Sequence, residues 1–427
     1  MLKALKEKLT PVELAWVLYD VGNSAFTMLS CSLIPIWFKS LAIGDGPGRL
    51  SSDDATGTWA LGVSLVTVIV ALMGPVCGAL SDRRDMKLIF FRTSVFIGVA
   101  GCIINGLATG WVLFLVVFII SKIAYSCSLT FYDSMLVDVT AEERMDEVSS
   151  YGYAWGYIGS CIPFLIALVF YILGPDMAGV ISGFVSKLLG FTVTAVWWLV
   201  VTIPLLRRYK QRNYTEHKPH AVRAAFAKLG GTIKRIATQD KKVGWFLLAF
   251  FLYIDGVGTI IDNCINIGTD LGLDTVGQVV VLLATQVVAW VFALIFAKLS
   301  RRYSTVKLLS VCIIGYFVVC LYAFTLKTML QFGIMAFGVG MFQGSIQSLS
   351  RSYFTKIIPP ENSGEYFGIY DIFSKGASFI GSAVIAAVKF AGGTINIAVG
   401  LMAVFFLAGF ILLRVADRTE GLSRSGD

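Results

Sequence analysis

Histidine is nearly absent from the 427-residue chain: two occur, His217 and His220, close together in one polar stretch. So placed, they offer no His-based metal or catalytic centre in the apolar body, and no H-E-x-x-H, phosphate-loop or Ser-His-Asp pattern accompanies them. Charge is scarce as well, at 15% Asp, Glu, Lys and Arg against about 25% in soluble domains. The 8 cysteines form no C-x-x-C pair and all fall in apolar runs, as small buried hydrophobes do. The longest polar stretch is 207–242. These shortages exclude an ordinary cytosolic enzyme, a disulfide-framed secreted domain, an ATP-driven pump and a receptor with a sizeable soluble domain, and no cofactor or metal is expected.

What the chain has in plenty is apolar sequence: 56% hydrophobic residues and a mean hydropathy of +0.77. A bilayer-spanning helix needs about 20 apolar residues. Twelve such stretches, separated by charge, lie near 13–38, 57–80, 88–109, 112–134, 150–173, 184–206, 243–268, 275–297, 305–326, 329–351, 365–390 and 393–414. The fold class expected is an all-α, multi-pass membrane protein. The opening MLKALKEKLTPVELAW shows no cleavable signal pattern, so the first span is expected to stay in the mature chain.

The net charge of +8 sits in short loops, as orientation signals do, so no nucleic-acid partner is expected. Twenty-eight of the 35 Lys and Arg fall on one side of the twelve spans and five on the other. An even span number and this asymmetry predict both termini in the cytoplasm. Compact loops suit a bacterial cytoplasmic membrane, and the partners expected are the bilayer and a small solute, with the chain a monomer.

The polar stretch divides the chain into residues 1–206, a linker at 207–242 containing an amphipathic helix (AVRAAFAKLGGTIKRIA), and residues 243–427. The two flanking parts look related. ALSDRR at 79–84 aligns with KLSRRY at 298–303 at an offset of 219, and the same offset superposes Glu142 on Glu361 and Asp146 on Glu365. Parallel six-span repeats are the plan of the major facilitator superfamily, with the solute site between the halves. After span 2, Gly78, Asp82, Arg83 and Lys87 resemble that superfamily's signature loop, G-x-L-x-D-R-x-x-x-K, with Arg301, Arg302 and Lys307 in its degenerate copy. Physically it reads as a cytoplasmic latch: Asp82 can face the positive N-terminal end of a neighbouring helix, while Arg83 and Lys87 meet acidic groups or lipid headgroups.

Four segments carry a narrower resemblance: WVLYDVGNSAF (16–26), FYDSMLVDVTAEERMDEVSSYGYAWGYIG (131–159), DGVGTIIDNCINIGTDLGL (255–273) and GMFQGSIQSLSRSYFTKIIPPENSGEYFGIYD (340–371). The chain resembles the vacuolar-effluxer-like family of autophagy-related transporters and their bacterial relatives. Two positions depart from the family pattern: Val21 stands where an aromatic is usual, and Asp133 where Asn is usual. The resemblance implies a transporter, and its best-described member exports amino acids.

Charged residues inside spans are costly, about 2.5–3.5 kcal/mol each on insertion scales, and usually face a cavity or a partner. Those here are Asp20, Lys122, Asp255, Asp262, Asp371 and Lys375. Asn23 shares a face with Asp20. Similar depth makes Lys122 and Asp255 a candidate cross-half charge pair, either titrating or static, and Asp371 with Lys375 an i, i+4 pair, either a bridge or a site. Gln343, Gln347 and Arg351 form a polar stripe along span 10, suited to a zwitterionic cargo or to helix packing. Gly152, Gly156 and Gly159 read as close packing in span 5, Trp16, Trp37, Trp59 and Trp111 as an interfacial belt, and the sequon at Asn213 as noise on a cytoplasmic loop. The function expected is a secondary transporter of a small polar or zwitterionic, amino-acid-like solute, coupled to H+ or Na+. The alternative is an exporter or flippase of amphiphiles on the same fold.

Overall fold

The computed structural model describes residues 7–44, 48–175, 177–216, 221–264, 267–268, 271–376 and 379–420. His217, His220, residues 1–6 of the opening and four residues of the span 7 motif (265, 266, 269 and 270) lie outside them. Among the described residues eleven helices are long and apolar enough to cross a membrane, and a pair bent by 41° at Ser32, taken as one span, makes the twelfth.

The spans are Pro11–Cys31 with Leu33–Ala42 (span 1), Ser52–Ser81 (2), Met86–Leu107 (3), Trp111–Ser134 (4), Met145–Ile172 (5) and Gly183–Arg208 (6). After a linker helix, Ala221–Thr238, follow Lys241–Asp262 (7), Thr275–Leu299 (8), Thr305–Ala323 (9), Met329–Ile357 (10), Ser363–Gly376 with Phe379–Phe390 (11), and Ile395–Leu401 with Ala403–Arg418 (12). Local chemistry sets several ends. Thr10 and Glu13 form a reciprocal capping box with Pro11 in the first turn, and Thr328 with Gln331 repeats the box at span 10. Span 1 bends because Pro35 lacks the N–H that would reach Cys31 and its ring crowds that carbonyl.

Among the described residues buried apolar side chains gather into two large clusters, one drawn from residues 9–209 with Ala297 and one from 236–416, and a small third at Val76 and Ala79. Each of the two large ones is the core of a six-span bundle. The outward faces are apolar too: Leu61, Leu65, Val68 and Leu72 form an exposed stripe down span 2, while Gly74, Pro75 and Gly78 on its other face are buried. An exposed apolar stripe beside a close-packed face is what a lipid-embedded helix requires. Short 3-10 turns at Glu142–Arg144 and Pro360–Asn362 precede spans 5 and 11, and they overlap at the duplication's offset of 219.

Candidate functional site

Arg351 is the centre of the interface between the bundles. It projects from span 10 and is 2% exposed. Its Nη1 donates to Asp133 Oδ1 at 2.9 Å and its Nη2 to Asp20 Oδ2 at 3.2 Å, both carboxylates belonging to the other bundle. Its Nε donates to Ser149 Oγ at 2.9 Å and Nη2 also to the Ser149 carbonyl at 3.1 Å. Three aromatic rings surround the guanidinium: Trp16 and Tyr153 with centroids at 4.6 Å and Tyr132 at 5.4 Å. Such a planar, weakly hydrated cation suits a site that offers both a carboxylate fork and π faces. Asn23 Nδ2 donates to Asp20 Oδ1 at 3.3 Å and holds it from within span 1.

Gly152 makes room for the cluster. A Cβ there would lie 2.4 Å from Asp20 Oδ2 and 3.1 Å from Arg351 Nη2, so the ion pair passes where a side chain would stand. The cluster thus brings together Asp20, Asn23, Asp133 and Arg351 of the residues singled out in the sequence. It adds Tyr132, Ser149 and Tyr153, which the sequence did not single out, and Trp16, which it placed elsewhere. Trp16 is fully buried, stacks on Tyr132 at 4.4 Å and donates its indole N–H to the Tyr132 carbonyl, so it is not a residue of an interfacial belt.

From this level to the face carrying the chain ends, further bonds tie the bundles together. Asp82, at the end of span 2, accepts from the backbone N–H groups of Gly364 at 2.7 Å and Glu365 at 2.9 Å, at the first turn of span 11. Lys87, fully buried, donates to Ser363 Oγ at 2.7 Å and lies 3.5 Å from Asp82 and 4.0 Å from Asp138. The pseudo-equivalent corner is built from side chains instead. Arg301 pairs with Glu147 at 2.5 Å, and Asp146 accepts from Ser352, Thr305 and Lys356 at 2.6–2.7 Å. Arg302 and Lys307 are exposed, away from these contacts.

The linker's first residues strap the latch in place. Gln211 Oε1 accepts from the Lys87 N–H and its Nε2 donates to the Ser81 carbonyl, while the Thr215 N–H donates to the Asp82 carbonyl at 2.8 Å. Arg83 pairs with Thr215 along the backbone. Asp138 accepts from the Tyr209 hydroxyl, the N–H groups of Arg212 and Asn213, and Asn213 Nδ2, so the sequon's asparagine is a structural residue here. Asp138→Ala is therefore expected to release this strap, and tryptic cleavage at Lys210 and Arg212 should rise on the order of tenfold in a limited-proteolysis time course.

The remaining intramembrane charges are held by partners other than Arg351. Lys122 donates to Ser30 Oγ at 2.9 Å and sits over the rings of Tyr125 and Phe26 at 5.0 and 5.6 Å. Asp255 accepts from the Gly381 N–H at 3.2 Å, in the first turn of Phe379–Phe390. The two are not an ion pair with each other: each meets a partner closer to its own helix face. Asp371 pairs with Lys375 at 2.7 Å and also accepts from Thr130 across the interface. Asp262 is exposed at the end of its helix. Gln343 is buried, and Gln347 Nε2 donates to its carbonyl at 3.1 Å, continuing the stripe that ends at Arg351. Among the described residues no group of His, Cys, Asp and Glu is arranged to hold a metal ion.

Two six-span bundles meeting along spans 2, 5, 8, 10 and 11, with a buried charge cluster and a signature-loop latch at their seam, define a major facilitator transporter rather than an enzyme. Solved structures agree on the fold: the transporter FucP in its outward conformation superposes over 96% of this chain and 99% of that one, with a TM-score of 0.73 at 15% identity. The proton:xylose symporter XylE does so over 95% and 94%, with a TM-score of 0.68 at 11% identity. Residues 11–425 match the model of the family described as "Vacuole effluxer Atg22 like", and the chain belongs to that family. It is 38% identical over 412 residues to the MFS-type transporter YxiO of Bacillus subtilis (strain 168), covering 96% of this chain and 95% of that protein. It is 26% identical to autophagy-related protein 22-1 of Sclerotinia sclerotiorum, over 64% of this chain but only 50% of the fungal protein.

Proposed function

We propose that this transporter moves a small polar or zwitterionic, amino-acid-like solute by alternating access, coupled to H+, in a bacterial cytoplasmic membrane with both termini inside. The observation that carries this reading is the charge balance at Arg351: one guanidinium faces two carboxylates, Asp20 and Asp133, in a desolvated seam. With all three ionised the cluster bears a net charge of −1, which burial penalises, and a proton on either carboxylate neutralises it. That proton also weakens the grip between bundles, because a neutral carboxyl holds a guanidinium less strongly than a carboxylate does. Proton binding and separation of the bundles are thereby linked, and linkage of this kind is the requirement for coupled transport. With the termini inside, the sealed face is the cytoplasmic one, and the cycle starts from an outward-facing state. The family's description as effluxers supports export, and the polar seam favours a polar cargo over an amphiphile.

The test uses purified protein in liposomes holding an internal pH dye, challenged with amino acids, peptides, sugars and amphiphiles. Solute-dependent proton movement is expected in the parent, and Asp133→Asn is expected to abolish it while solute exchange persists, with Asp255→Asn run alongside. Solute uptake with no proton movement in the parent would mean a uniporter or an Na+-coupled carrier. Movement of amphiphiles alone would establish the flippase reading instead.

A further inference from the structure

A cavity lies away from the seam, at the opposite end of the spans from the chain ends. Its volume is about 430 Å³, and it is lined by the far end of span 1, the turn after span 3, the end of span 5 and the start of span 6 and opens to the outside. Trp37, Tyr171 and Phe184 supply aromatic wall, and Thr109, Ser186 and Lys187 supply polar groups. Among the described residues no carboxylate lines it. Asp176, next to the lining Pro175, lies outside them.

Three features of this cavity favour an anion. Lys187 is only 3% exposed, and its ammonium donates to a single acceptor, the Ala108 carbonyl, and lies 5.7 and 5.9 Å from the rings of Phe114 and Phe184. No ion pair offsets its charge among the described residues. The lysine also stands near the N-terminal end of span 6, a 26-residue helix whose terminus is itself positive, an unfavourable place for a cation unless an anion joins it. Ser186 is 2% exposed, lines the cavity and has a hydroxyl with no hydrogen-bond partner among the described residues. An unpaired hydroxyl facing the cavity and a buried cation without an ion pair are the two groups that an oxyanion would engage together.

The geometry points to this cavity as a binding site for a phosphate-bearing anion, held by Lys187 and Ser186 with the aromatic walls against its apolar part. The cavity lies at the ends of these spans, on the face opposite the chain ends; with the termini inside, as proposed above, the phosphate arrives either on an outer-leaflet lipid or as a soluble ester. The site is separate from the seam and does not depend on the identity of the transported solute.

The experiment is native mass spectrometry of the full chain in detergent, titrated with phosphatidylglycerol, phosphatidylcholine and glycerol 3-phosphate. The parent should retain phosphatidylglycerol in preference to phosphatidylcholine. Lys187→Met should weaken that binding on the order of tenfold, Ser186→Ala should weaken it less, and Lys187→Arg should restore it. Retention of glycerol 3-phosphate with the same dependence on Lys187 would assign the soluble source, and its absence the lipid source. Equal binding by the parent and Lys187→Met would overturn the site. So would a parent that retains no phosphate compound while Lys187→Met and Asp176→Asn lower the melting temperature alike, since the lysine's counter-charge would then be internal.

Discussion

Arg351→Met is expected to abolish solute flux and to lower the melting temperature sharply. Removing the guanidinium leaves Asp20 and Asp133 side by side on one bundle with no cation opposite them, and breaking a buried pair in this way typically costs about 3–5 kcal/mol. The loss of stability and the loss of transport have different causes, and a combined variant separates them. Arg351→Met with Asp20→Asn and Asp133→Asn removes the stranded charges, so its melting temperature should return close to the parent's in a thermal scan, while flux in liposomes stays absent. Arg351→Lys should fall between. An ammonium is a compact point donor and cannot span Asp133, Asp20 and the Ser149 pair at once. If the triple variant transports as the parent does, the cluster is packing and not machinery.

Gly78→Val is expected to hold the terminus-bearing face open. A Cβ at position 78 would lie 2.1 Å from the carbonyl oxygen of Gly364, and backbone on both sides leaves nothing that can rotate away. Gly368→Ala meets the same obstacle, with the Cα of Pro75 at 2.4 Å. Spans 2 and 11 therefore close only through their glycines, and a side chain there disfavours the sealed state by several kcal/mol, a population shift on the order of 100-fold or more. Ser150, buried at the seam beside Ser348, reports the change. In a Ser150→Cys background, a water-soluble maleimide should label Gly78→Val at least an order of magnitude faster than the parent. Equal labelling rates would mean that the close approach of spans 2 and 11 does not control the seal.

Much of this architecture is visible in a hydropathy scan, because a bilayer penalises every exposed peptide group and so imposes length and composition on each span. The twelve spans and the role of Asp82 as a cap follow from that and from the helix dipole. The cluster at Arg351 is legible only in part. Asp20 and Arg351 stand out as charge and stripe, and Asp133 as a departure from the family pattern. Yet the bonds that join them cross 331 and 218 residues of sequence. Trp16 illustrates the limit: its position near a predicted span end suits a headgroup belt, whereas the helix begins at Pro11 and turns the indole under Arg351. Lys122 and Asp255 illustrate another. Depth along two helices says how far each charge lies from the surface, but not the direction in which either points, and their partners turn out to be Ser30 and the Gly381 N–H.

The duplicated unit has kept its two corners in different materials. At one, Asp82 grips peptide N–H groups, which persist whatever side chains the positions after Ser363 acquire. At the other, Arg301 occupies the matching place and grips Glu147, which a single codon change removes. A lineage carrying this protein can therefore retune the Arg301 corner by changing either partner, whereas the Asp82 corner offers only one side of its contact to mutation, the donors on span 11 being main chain.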